Sequence, residues 1–195
     1  EMNRILAAIH EVDLAACGLS DYGPPGDFYA RQLGRWTKQY RASETGALPE
    51  MDRLILWLES NLPEEDGQRC LVHGDYRIDN LLFAREAPEI RAVLDWELST
   101  LGDPIADVAM MCAYRDPGFD LILGAPGAWS SPRLPDVPTL AAQYEAAGGV
   151  TLAHWDFHMA LAYYKIAVVS AGIDHRLRAA GDPGQAHDSP GAAGE

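Results

Sequence analysis

The chain has 195 residues, which at about 150 residues per domain allows one main core and leaves little room for a second. With 48% hydrophobic and 23% charged residues, its composition excludes disorder for the bulk of the chain. Acidic residues outnumber basic ones 29 to 15, and the net charge of −14 opposes attraction to nucleic acid or to an anionic membrane; no partner of either kind is expected.

Met2, Ile5, Leu6 and Ile9 fall at helical spacing and predict a first helix, ending before the glycine- and proline-containing stretch 18–26. Tyr29, Leu33, Trp36 and Tyr40 then share one face of a second helix started by Asp27, a stripe read as core. Pro49 suits a first helical position, and Met51, Leu54, Leu58 and Leu62 carry the period on until Pro63. The period then changes. Cys70 to Val72, Asn80 to Phe83 and Ile90 to Trp96 read as strands, the last two paired as a hairpin across 84–89. Asp103-Pro104 reads as an N-cap and first helical residue, followed by Ile105, Val108 and Cys112 on one face. Residues 116–137 read as a long loop with short helical pieces, 140–147 as a short helix and 151–172 as a long buried one. The tail 181–195 has four glycines, two prolines and no large apolar residue, and is expected to be mobile.

Cys17, Cys70 and Cys112 are odd in number, far apart and in no C-x-x-C pattern, which fits a reducing compartment; the expectation is a cytoplasmic protein. The most apolar stretch, 159–173, contains Lys165 and falls short of the roughly 20 residues a bilayer span needs. The sequence opens on Glu1 with no basic-then-apolar leader, so no signal peptide is expected, and a start other than Met suggests a fragment.

The informative segment is His73-Gly74-Asp75-Tyr76-Arg77-Ile78-Asp79-Asn80, with Asp95 where the hairpin returns. A hard cation such as Mg²⁺ takes one or two carboxylates plus phosphate oxygens and water. Asn80 and Asp95 suit that role, which leaves Asp75 to meet a hydroxyl, the arrangement of phosphoryl-transfer chemistry.

His73-Gly74-Asp75-x-x-x-x-Asn80 followed by Asp95-Trp96-Glu97 resembles the catalytic loop and metal motif of the aminoglycoside phosphotransferase and choline kinase group, within the protein-kinase-like fold. Gly102-Asp103-Pro104-x-x-Asp107 fits the same group, and the stretch 21–40 with Arg31-Gln32 and Arg35-Trp36 resembles its branch associated with acyl-CoA dehydrogenases. The resemblance covers roughly residues 1–175. It implies an α+β, mostly helical C-terminal lobe over residues 1–180, with a small hairpin carrying the motifs. It also implies ATP as phosphate donor and Mg²⁺ as cofactor. Asp75 would accept the proton of the acceptor hydroxyl, and Asn80 and Asp95 would hold the metal. Glu97 would touch a second metal, and His73 and Asp107 would support the loop.

Where protein kinases carry Arg, this chain has Gly74, and it lacks their long activation segment, which favours a small-molecule acceptor. It also lacks a Gly-rich phosphate loop; its two lysines, Lys38 and Lys165, fall on predicted helices with no sequence reason to face the catalytic loop. The expectation is therefore a second lobe whose nucleotide-gripping first lobe lies elsewhere in the same protein, inactive when isolated. The acceptor is read as a hydroxyacyl-CoA or an aminoglycoside-like alcohol, with the first preferred. The alternative is a non-catalytic module that binds a nucleotide or partner, and the intact Asp75, Asn80 and Asp95 weigh against it. A metal-dependent phosphohydrolase would need a denser His/Asp cluster. His154 and His158 are read as packing or polar groups, His10 as a favoured cation at a helix end, and Arg31 and Arg35 as surface pairs with acids.

Overall fold

The computed structural model describes residues 1–24, 27–64 and 69–181. The helices are α1 (Met2–His10), α2 (Phe28–Ser43), α3 (Pro49–Ser60), α4 (Pro104–Ala113), α5 (Gly118–Leu123), α6 (Val137–Ala146) and α7 (Trp155–Ala179). Four short strands, β1 (Cys70–Val72), β2 (Leu81–Phe83), β3 (Ile90–Val93) and β4 (Thr100–Gly102), lie between α3 and α4. They form two antiparallel pairs: β2 with β3, Leu81 opposite Val93, and β1 with β4, Cys70 opposite Gly102. Much of the mobile tail expected from the sequence, 182–195, lies outside the described residues.

Carboxylate caps start three helices where a backbone N–H would otherwise lack a partner. Asp27 accepts from the Ala30 N–H at 2.9 Å, Asp103 from Ile105 at 2.7 Å and Asp136 from Thr139 at 3.0 Å. Asp136 moves the start of α6 three residues upstream of the predicted 140. The long helix starts later than predicted and runs further, because His154 adopts a left-handed conformation (φ 49°) and stands outside α7 as its N-cap. A left-handed residue cannot continue a right-handed helix.

The hydrophobic interior has three parts. Tyr29, Leu33, Trp36 and Tyr40 of α2 are buried, as their spacing predicts, against α3 and the Leu161, Tyr164 and Val168 face of α7. Leu6 of α1, Val108 and Cys112 of α4 and Tyr144 of α6 form the second part, and Met110, Tyr114, Phe119, Trp129 and Ile166 the third. Helix α4 contributes to both of the latter and has every residue but Ala106 buried, so it is the axis of the site-bearing half. The three cysteines are free. No helix among the described residues is long and apolar enough to cross a membrane.

Candidate active site

The loop 73–80 leaves β1, closes on a 3-10 turn at Ile78–Asn80 and enters β2. Gly74 takes a left-handed φ of 84°, and a Cβ there would lie 2.5 Å from the Leu98 carbonyl oxygen, so this position admits glycine alone without a backbone shift. Asp107, fully buried in the first turn of α4, accepts the N–H groups of His73 at 2.6 Å and Gly74 at 2.7 Å on its two oxygens. The His73 ring joins the loop to the hairpin: Nε2 donates to the Leu94 carbonyl at 2.8 Å, which leaves Nδ1 to accept from the Asp75 N–H at 3.2 Å.

The half-buried Asp75 carboxylate is held on both oxygens. The Tyr114 hydroxyl donates to Oδ1, while Asn80 Nδ2 donates to Oδ2 at 3.1 Å and to the Asp75 carbonyl at 2.9 Å. Arg77 Nε lies 3.3 Å from Oδ2, and its guanidinium stacks 5.5 Å from the Tyr114 ring centre and 5.4 Å from that of Trp129. Burial, reinforced by the Asp75 charge, pushes the Tyr114 hydroxyl well above the ordinary phenol range, so it remains a proton-bearing donor.

The Leu94 N–H donates to the Asn80 carbonyl at 2.8 Å, which sets the residue before Asp95 against Asn80. Asp95 is not in a strand as predicted: β3 ends at Val93, and Asp95 turns left-handed (φ 66°, ψ 59°), a conformation rare for a residue with a Cβ. Its side chain is exposed, as is that of Glu97 two residues on. Asp75 and Asn80 thus touch, Asp95 stands beside Asn80 through the backbone, and Glu97 lies further along the turn. Asn80 spends its amide N–H groups on Asp75, leaving Oδ1 as an oxygen donor, and the Asp95 carboxylate makes no hydrogen bond among the described residues. An amide oxygen plus one exposed carboxylate is a hard-oxygen set of the kind Mg²⁺ takes together with phosphate oxygens. No group of three or more His, Cys, Asp or Glu residues among the described ones could hold a metal alone.

Three residues differ from the sequence reading. His10 does end α1, but it is more than a favoured cation there: its buried ring joins Tyr144 Oη (Nδ1, 2.8 Å) to Asp107 Oδ2 (Nε2, 3.3 Å). Its spacing of four from the buried Leu6 was the available signal. Burial opposes ionisation of Asp107, but the His10 bond and the two loop N–H groups outweigh it and hold the carboxyl below its ordinary range. Lys165, expected on a helix with no reason to face the loop, donates to the Gly74 carbonyl at 3.2 Å. Arg35 has no acidic partner among the described residues and lies against the Trp36 ring.

The profile of the phosphotransferase enzyme family matches residues 1–161, and the chain belongs to that family. Acyl-CoA dehydrogenase family member 10 of Mus musculus is 44% identical over 180 residues, covering 90% of this chain and 17% of that protein. Acyl-CoA dehydrogenase family member 11 of Homo sapiens is 34% identical over 174 residues, covering 88% and 22%. The chain therefore spans about a fifth of the curated relatives it matches. Among solved structures, a Ralstonia eutropha protein assigned to the aminoglycoside phosphotransferases superposes with a TM-score of 0.82 at 39% identity, covering all of this chain and 61% of that one. A macrolide 2'-phosphotransferase of Brachybacterium faecium, 18% identical with a TM-score of 0.56, covers 98% and 57% and shares the fold. The architecture is the mostly helical, kinase-like fold of these phosphotransferases.

Proposed function

We propose that the chain carries the catalytic loop of an ATP- and Mg²⁺-dependent phosphotransferase acting on a small-molecule hydroxyl in the cytoplasm, with the nucleotide-gripping lobe supplied by another part of the same protein. The observation that carries this reading is the Asp75 carboxylate, fixed by Tyr114, Arg77 and Asn80. A carboxylate offers about four lone-pair sites. Two hydrogen-bond donors, Tyr114 and Asn80, therefore orient it, the Arg77 charge lies beside it, and room is left for the acceptor hydroxyl, whose proton it receives. Asn80 Oδ1 and the Asp95 carboxylate would hold Mg²⁺, Glu97 would reach a second ion, and His73 and Asp107 would keep the loop in place. When bound, the metal neutralises charge on the phosphates; positioning by these residues supplies much of the remaining catalysis in such transfers.

The acceptor is read as a hydroxyacyl compound, the class of hydroxyacyl-CoA. The relatives named as acyl-CoA dehydrogenases support that choice over an aminoglycoside-like alcohol, to which the name of the Ralstonia protein points. The test uses the protein with both lobes. Asp75→Asn should lower transfer by about 10²–10⁴-fold, the span usual for loss of a general base, and leave Mg²⁺-ATP affinity nearly unchanged. Asp95→Asn should weaken Mg²⁺-ATP itself. Equal losses of nucleotide affinity in both variants would refute the separate roles, and nucleotide binding with no transfer to any hydroxylated acceptor would favour a non-catalytic module.

A further inference from the structure

Two cations converge on a narrow pocket against the catalytic loop. It has a volume of about 30 Å³ and is lined by Gln32, Arg35, Trp36, Gly74, Thr100 and Lys165 among others. Lys165 Nζ lies 5.4 Å from the Trp36 ring centre and the Arg35 guanidinium 5.7 Å from it, so one indole serves both. Gln32 Oε1 accepts from Trp36 Nε1 at 3.1 Å, which fixes the ring and turns the Gln32 amide nitrogen to other use.

Neither cation forms an ion pair among the described residues, although Arg4, Arg41, Arg53, Arg91 and Arg178 all pair with acids. The carboxylates nearest in effect, Asp107 and Asp75, are engaged already by loop N–H groups, His10, Tyr114, Asn80 and Arg77. Burial lowers the Lys165 ammonium from its ordinary range; Arg35 pushes the same way, and Asp107 and Asp75 oppose. A half-buried ammonium held by one carbonyl and one indole face is incompletely compensated, and an incoming anion removes that deficit.

We infer that the Arg35–Trp36–Lys165 pocket is a subsite for the acidic group of the acceptor, either the carboxylate of a free hydroxy acid or a phosphate of its CoA thioester. The inference rests on the phosphotransferase reading above and names what the acceptor must carry besides its hydroxyl. Gly74 directly precedes Asp75, so an anion held by Lys165 is anchored at the flank of the proton acceptor. The two positive charges of the pocket favour an acid head group and repel the ammonium groups of an aminoglycoside.

The test reads binding and not transfer, so its failure leaves the reading of Asp75 standing, whereas failure of that reading would show as lost transfer with anion binding intact. The protein with both lobes, without nucleotide, is titrated calorimetrically with 3-hydroxybutyrate, its uncharged methyl ester and 3-hydroxybutyryl-CoA. The acid or the thioester should bind saturably and the methyl ester should not; binding of the acid alone identifies the carboxylate as the source, and of the thioester alone the phosphate. Lys165→Met and Arg35→Gln should each weaken binding about tenfold or more, the scale of a lost charge-assisted hydrogen bond, and Lys165→Arg should retain most of it. Thermal melts of each variant show that the fold is kept. No binding of either anion, equal binding of the methyl ester, or wild-type affinity in both Lys165→Met and Arg35→Gln overturns the subsite.

Discussion

His158 shows how one ring sets a pH limit on this fold. It packs edge-on against Tyr29 and Phe157, with centroids 5.5 and 5.7 Å away, and its Nδ1 has no hydrogen-bond partner among the described residues. Burial pushes the ring down to about 4, with Asp103 opposing and His154 adding to the shift. Above pH ~6.5 the ring is neutral in both folded and unfolded chains and costs nothing. Between about 6.5 and 4 the unfolded chain takes up a proton that the folded one refuses, so stability falls with pH, by about 3 kcal/mol across the window. Urea unfolding at pH 7 and pH 5 should show the wild type losing about 2 kcal/mol more than His158→Leu, and parallel losses would clear the ring of responsibility. The sequence allowed the burial of His158 but not the parts played by His10 and Lys165. A helical face reports which side is inside. It does not report that His10 will meet an Asp 97 positions away, or that Lys165 will meet a carbonyl 91 positions away.

Among the elements, those closed by their own neighbours were legible. The caps Asp27 and Asp103 and the hairpin of β2 and β3 rest on contacts within about a dozen residues and lie where their residues indicate, although β3 stops at Val93; the α2 stripe was legible from its own spacing, though what covers it, α7, was not. Strand β4 was not legible, because Thr-Leu-Gly has no pattern of its own and becomes a strand only by pairing with β1. Gly102 is fixed there by packing: a Cβ would come within 2.3 Å of the Phe28 ring. The segment from α5 to the start of α6 reads by period as a loop with short helical pieces, and it is Arg115 that organises it. Its guanidinium donates to the carbonyls of Trp129, of Pro135 at 3.0 Å and of Leu134 at 3.3 Å, which sets Trp129 over Arg77 beside Asp75. Arg115→Ala removes three backbone partners at once. It should speed proteolysis and amide exchange over residues 128–135 and cost about 1–3 kcal/mol in urea unfolding, the scale for carbonyls left unpaired. An unchanged exchange pattern would show that the segment holds itself.

For the whole molecule, composition and motif led to the family, while the assembly of the site depended on the packing of three helices. The loop 73–80 is short and has few hydrogen bonds of its own. It is held by Asp107 from α4, which is held by His10 from α1, which is held by Tyr144 from α6. His10 and Tyr144 stand 134 residues apart in the chain, and His10 and Asp107 stand 97 apart. Closing loops of that length must be met in entropy before the contacts repay it. During refolding, then, the helices can form and collapse early while the catalytic loop waits for the last long-range closure. In pulse-labelled hydrogen exchange, the His73 and Gly74 amides should gain protection after those of α2 and α7, and simultaneous protection would show that the loop is not the late event. A chain caught before that step would already have most of its helical content and none of its site, so a folding assay that reads helicity would score it as native while its Asp75 still swung free.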